Sequence, residues 1–232
     1  MHASTQQPLS TLERVIEALL LALLTYLPFA LGGVLPFSHL VLMGAAICLG
    51  LVFALRCFVE AEARVVWSWA YVPALLFVGF VALQLVPMDL ARLESLAPAS
   101  AAMWRDVDGL AAGLVNAPEQ ASLSVYPWAT RVDLRLLMSA VLILFVVSQV
   151  YGRMHLIKRL LLGVSMIGLA GVVLALVQDI TLTSIISVFY DRSPRPATGG
   201  SFYHRGHFCE FTNLAMGAAI ALLLVRASEQ RP

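Results

Sequence analysis

Charge is scarce in this chain. Of its 232 residues only 12% are Asp, Glu, Lys or Arg, about half the share of a soluble domain. What charge there is nearly cancels, leaving a formal net charge of +1. That balance, with no long run of like charge, excludes the basic surplus of a nucleic-acid binder, and no nucleic acid is expected as a partner. Cysteine is sparse as well. Cys48, Cys57 and Cys209 are odd in number, far apart and in no CxxC arrangement, so neither a disulfide framework nor a structural zinc site is expected. Repeats and low-complexity segments are missing too. What the chain has in abundance is apolar side chains, at 60% of all residues. Such a composition belongs to an integral membrane protein whose main partner is the lipid bilayer.

About 20 apolar residues cross the hydrocarbon core as a helix. By that rule six spans are expected, over 15–33, 39–55, 65–86, 132–150, 160–178 and 211–225. The fold class is then all-α, a polytopic bundle of about six transmembrane helices in one domain over 1–232. Two longer external loops, 87–131 and 179–210, interrupt it. The first span follows Arg14 in the manner of a signal peptide, but its apolar run is longer than a usual signal core and more spans follow. The "LGGVLP" segment at 31–36 is a tight Gly/Pro turn that predicts an antiparallel hairpin of the first two spans.

Short-loop cations set the orientation. With the N-terminus inside, Arg14, Arg56, Arg64, Arg153, Lys158, Arg159, Arg226 and Arg231 fall on the cytoplasmic side. Arg92, Arg105, Arg131, Arg135, Arg192, Arg195 and Arg205 fall outside, mostly in the two long segments. Both termini are therefore expected in the cytoplasm.

Both external segments carry more than a linker needs. In "MWRDVDGLAAGL", Trp104, Val107, Ala111 and Leu114 share one helical face, away from Arg105, Asp106 and Asp108. This is the pattern of a helix in the membrane interface or of a surface helix packed on its neighbours. The same loop ends in "SLSVYPWATRVDLRLL", where Tyr126 and Trp128 suit the aromatic belt. Arg131 and Arg135, four residues apart at the start of a span, project from one face while Asp133 does not. An arginine one turn into a span snorkels, pairs with an acid or meets an anion. Two guanidinium forks side by side suit a phosphate or diphosphate.

The second segment closes with "GGSFYHRGHFCEF" at 199–211, leading directly into the last span. A helix starting near Gly206 would turn its first amides and its dipole toward an anion, with Arg205 beside them. The aromatic residues Phe202, Tyr203, Phe208 and Phe211 are placed for burial against lipid or a polyprenyl chain, or for the aromatic belt. His204, His207, Cys209 and Glu210 are each competent metal ligands. Their spacing, however, puts only the two histidines on a shared face, and no metal is assigned. His204 and His207 are also the candidates for acid/base work, since histidine titrates near neutral pH.

"SVYPWATRVDLRLL" and, some way downstream, "GGSFYHRGHFCEFTNLAMGAAIALLL" together resemble the O-antigen ligase and O-antigen polymerase family of bacterial inner-membrane glycosyltransferases. Trp128, Ala129, Thr130 and Arg131 match the family's approach to a span. Gly200, Phe202, Arg205, His207 and Phe208 match its segment opening an external helix, with His204 and Gly206 where asparagines are usual. The resemblance implies a polyprenyl diphosphate-linked glycan donor, transferred at the outer face of the inner membrane to a lipid, a protein or another glycan. It also implies no metal or other cofactor, and Arg131, Arg135, Tyr203 and Arg205 as substrate-binding residues. Family members have more spans and a large later external loop with a further histidine and arginine. The expectation is thus that this chain corresponds to the N-terminal part of that architecture, with the catalytic residue unassigned between His204, His207 and a residue beyond it. A transporter or channel subunit and a metal- or haem-binding membrane subunit stand as the alternatives.

Overall fold

The computed structural model describes residues 10–60, 65–111, 121–181, 200–202 and 204–229, with side chains for all of these except 108–111. The fold is all-α: the described residues form eight α-helices and one 3-10 turn, with no strand beyond a single bridge between Met88 and Ala121. Among the described residues four helices are long and apolar enough to cross a membrane: α2 (Pro36–Val59), α6 (Pro127–Val150), α7 (Met154–Thr181) and α8 (Arg205–Glu229). Their exposed surface is apolar, with Leu51, Leu55, Leu169, Leu176, Leu214 and Leu223 all open to the surroundings. Side chains of that kind are stable in hydrocarbon and not in water, and the chain is a membrane protein.

The other two expected spans differ from these four. In α1 (Thr11–Phe29) the first two turns carry Glu13, Arg14 and Glu17, which leaves only 18–29 as uninterrupted apolar helix. The span expected over 65–86 shortens to α3 (Tyr71–Leu83). Pro73 lies in the first turn of α3, the one place in a helix where a missing N–H costs nothing.

The contacts divide the chain into two compact units, residues 1–65 with 143–232 and residues 66–142. In the first unit, α1 opens on a capping box. The Glu13 amide donates to the Ser10 hydroxyl at 3.1 Å and the Ser10 amide to the Glu13 carboxylate at 3.2 Å. The expected hairpin then forms: Leu31, Gly32 and Gly33 take positive φ of 58°, 72° and 77°, which the two glycines adopt without Cβ strain, and α2 runs back along α1. Helices α7 and α8 are antiparallel and very close. A Cβ on Gly168 would come within 2.1 Å of the Ala215 Cβ.

One end of this unit is tied by charge. Arg56 on α2 reaches Glu13 at 2.7 Å and Glu60 at 2.9 Å, Arg153 in the α6–α7 turn reaches Glu13 at 3.5 Å, and Arg159 on α7 reaches Glu17 at 2.9 Å. Lys158 pairs with Glu229 at the end of α8. Glu13 and Glu17 are buried. The four segments expected on the cytoplasmic side therefore meet at one end of the unit. Glu60, just past α2, is held below its ordinary value of 4.5. Burial pushes it up, but Ser10, Arg56 and Arg153 together outweigh burial. Its contribution to stability is present above that value and fades as pH falls below it.

Tyr151, in the α6–α7 turn, is buried beside this network, and its hydroxyl has no hydrogen-bond partner among the described residues. Burial first, and the Glu17 carboxylate second, push its pKa from 10.0 up to about 12. The folded state thus holds the phenol proton more tightly than the unfolded chain does. The resulting stability is complete below pH 10 and is lost as pH rises toward 12. Tyr151→Phe keeps the ring and removes the unpaired hydroxyl. It is expected to leave stability at neutral pH equal or higher by about 1 kcal/mol and to flatten the alkaline loss, read by thermal unfolding in detergent across that range. An unchanged alkaline limb would reject the assignment to Tyr151.

In the second unit, α4 (Leu90–Leu96) and α5 (Pro98–Ala111) pack around Leu93, Ala101 and Ala121. The Met88–Ala121 bridge closes the segment, and Ser124 N–H donates to the Gln84 carbonyl at 3.0 Å, joining the end of α3 to the approach to α6. Trp104, one of the residues placed on the α5 interfacial face, packs on this small core and donates its indole N–H to the Ser122 carbonyl at 2.9 Å. Val107 is exposed. Leu114 and the Ala111 side chain lie outside the described set. At Trp104, then, the face is packed on its neighbours.

Candidate functional site

Two sets of predicted residues take their places at helix starts, one in each unit. In the second unit, Pro127 opens α6 at a position where its fixed φ is already helical. The Ser124 and Thr130 hydroxyls meet at 2.7 Å across the start. Tyr126 and Trp128 are exposed, with ring centroids 6.2 Å apart, as aromatic-belt residues are. Arg131 and Arg135 are both exposed on one face of α6, and neither has an ion pair among the described residues. Asp133 is exposed too, on another side of the helix. At 1.5 Å per residue, Arg135 lies about 12 Å along the helix from its first residue. Its own carbonyl accepts the buried Ser139 hydroxyl at 2.9 Å, so the backbone there is held while the guanidinium is left to the surroundings.

In the first unit, α8 begins at Arg205, one residue before the expected position. Gly200 adopts a positive φ of 62° and packs against α7, where its Cβ position would be 3.2 Å from the Ala175 Cβ. The Ser201 hydroxyl donates to the Pro28 carbonyl at 2.7 Å. Phe202 is buried against Gly32, with Phe208 and Phe211 at centroid distances of 5.8 and 5.5 Å. This corrects the placing of Phe202 against lipid or a polyprenyl chain: the ring is an internal wedge between the α1–α2 turn and α8. Tyr203 lies outside the described residues.

His204 caps α8. Its Nδ1 accepts the Gly206 N–H at 3.2 Å and its carbonyl accepts the Phe208 N–H at 3.3 Å. An Nδ1 that accepts carries no proton, so the cap fixes the tautomer with hydrogen on Nε2, and that nitrogen is a donor. His207, with its ring 5.5 Å from that of His204, meets Glu210 through Nδ1 at 3.3 Å. A carboxylate partner on Nδ1 leaves Nε2 as the basic nitrogen. The two candidate histidines thus differ in setting, His204 in the cap of α8 and His207 in an exposed pair with Glu210. Among the described residues no three His, Cys, Asp or Glu side chains are grouped to hold a metal, and Cys209 is an exposed free thiol.

Sequence reasoning missed the buried acids of α1, although Ser10-x-x-Glu13 followed by Glu17 is a legible capping box with a second acid one turn on. It also missed the His204 cap, which looks like no common N-cap residue. Compared with family models, curated proteins and solved structures, the chain matches none.

Proposed function

We propose that this membrane protein handles a polyprenyl diphosphate-linked glycan, as a glycosyltransferase of the O-antigen ligase or polymerase type or as a part of one, at the outer face of a bacterial inner membrane. The observation that carries the reading is the exposed Arg131 and Arg135 pair, without an ion pair among the described residues, in the first turns of an apolar 24-residue helix. A guanidinium so placed snorkels, pairs with an acid or meets an anion, and no acid pairs with either arginine among the described residues. A diphosphate fixed to a hydrocarbon tail is an anion held at that depth.

The start of α8 supports the same chemistry with its dipole and the Arg205 charge, although the Gly206 N–H there is bonded to His204. In glycosyl transfer an acceptor hydroxyl attacks the anomeric carbon, the bond to the diphosphate breaks, and the hydroxyl proton passes to a base. At the start of α8 an arginine beside the diphosphate stabilises the departing charge, and His207, with Glu210 at 3.3 Å, serves as the base. The gathering of Arg14, Arg56, Arg153 and Arg226 at helix ends supports a cytoplasmic face there, with both termini inside.

Photo-cross-linking tests the reading. A short-chain prenyl diphosphate carrying a diazirine beside the headgroup is expected to label peptides from the first turns of α6. Unlabelled prenyl diphosphate should suppress the labelling and the matching prenyl alcohol should not. Labelling that the alcohol suppresses equally well would mean a hydrophobic surface with no diphosphate site.

A further inference from the structure

Asn213 is exposed on α8 and makes no hydrogen bond among the described residues. Its depth makes that costly. Arg226, in the last turn of α8, marks one edge of the apolar stretch. Asn213 lies thirteen residues before it, about 20 Å along the helix and so within a hydrocarbon core of about 30 Å. The neighbouring Thr212 is already satisfied, since its hydroxyl donates to the Phe208 carbonyl at 2.8 Å. The Asn213 amide still has N–H donors and a carbonyl to pair, and acyl chains offer a partner to neither.

The rest of its face is equally open. Asn213, Gly217, Ile220 and Leu224 share one side of α8, across the helix from Ala215, Ala218 and Leu222, which are buried. All four are exposed, and nothing lies within 4 Å of the Cβ position of Gly217. A polar side chain one turn from a glycine, where another backbone can come close, joins the two features that hold helices together in lipid.

The chemistry of the amide selects the occupant. Two copies inserted in the same sense are related by a two-fold axis along the membrane normal, which sets each residue near that axis against its own counterpart. A carboxamide is donor and acceptor at once, so two Asn213 side chains satisfy each other. Gly217 opposite Gly217 lets the backbones approach far enough for these short side chains to meet. We infer that the chain forms a parallel homodimer through this face of α8, with the Asn213 amides paired and Gly217 at the crossing. The contact needs no ligand, and the proposed function neither requires nor forbids it.

Energy transfer in liposomes tests the contact. Full chain carrying Cys48→Ser and Cys209→Ser is labelled at Cys57, near the end of α2, with donor or acceptor, and lipid is added in steps. Transfer above the level of random proximity is expected while α8 is unaltered. Asn213→Leu should raise the dissociation constant by roughly threefold to thirtyfold, the range of an interhelical hydrogen bond in lipid, and Gly217→Ile by at least as much. Asn213→Gln keeps the amide and should stay closer to wild type. Because positions 213 and 217 are exposed, thermal midpoints in detergent should hold. In a Cys48→Ser/Cys57→Ser chain, Cys209, exposed one turn before Asn213, should link two copies by a disulfide on mild oxidation. Absence of transfer, or transfer that Asn213→Leu and Gly217→Ile leave unchanged, overturns the inference. So does a Cys209 that fails to cross-link under conditions where transfer is seen.

Discussion

Glu13→Ala is expected to destabilise the protein by about 1–3 kcal/mol, because it leaves Arg56 with Glu60 alone, takes the carboxylate from the partly exposed Arg153 and opens the α1 capping box. Glu13 has 5% of its side chain exposed and Arg56 has 13%, so little water is available to take over. The loss reaches three elements: the capping box of α1, the end of α2 through Arg56, and the α6–α7 turn through Arg153. Glu13→Gln keeps the shape but not the charge and should lie between Ala and wild type. Glu94→Ala, which removes the exposed partner of Arg105, should cost less than about 1 kcal/mol. Thermal unfolding in detergent separates these variants. A Glu13→Ala midpoint close to that of Glu94→Ala would show that the network does not hold the unit together.

Arg205→Ala is expected to weaken binding of a short-chain polyprenyl diphosphate by about tenfold to a hundredfold, the value of a charge-assisted hydrogen bond in a partly desolvated site. Arg205→Lys keeps the charge but loses the fork that pairs with phosphate oxygens, so it should fall between Ala and wild type. His204→Ala should cost less in affinity. Its measurable loss is the cap on the Gly206 amide, worth about 1 kcal/mol of helix stability. Binding isotherms with unfolding midpoints taken in parallel keep the two effects apart. If Arg205→Ala binds as wild type does while His207→Ala abolishes binding, the diphosphate role of Arg205 fails.

How much of this was legible in the sequence depended on how local the cause was. The α1–α2 hairpin was readable because its turn needs positive φ, and "LGGVLP" supplies glycine where that is required. The start of α8 was readable for a similar reason, since paired glycines end whatever precedes "SFYHRGHF". Helix lengths were less so. Hydropathy marks the part of a helix that tolerates hydrocarbon, and α7 and α8 run on past it, from Met154 and from Arg205, through polar residues that stay helical outside the apolar stretch. The short α3 was signalled by Pro73 but hidden by the apolar run around it. Phe202 as an internal wedge was not legible at all, because its partner Gly32 is remote in sequence and only the tertiary fold brings them together. The same holds for Glu13 with Arg153.

The measurement that tests the central claim most directly is an equilibrium titration of the detergent-purified protein with a short-chain prenyl diphosphate, set beside the Arg131→Ala/Arg135→Ala variant. Both arginines are exposed and make no ion pair among the described residues, so their removal should leave the unfolding midpoint where it is. The account predicts saturable binding by wild type, weakened at least about tenfold in the double variant, with no saturable binding of the matching prenyl alcohol. Equal affinity of the two proteins for the diphosphate, at equal stability, would contradict it.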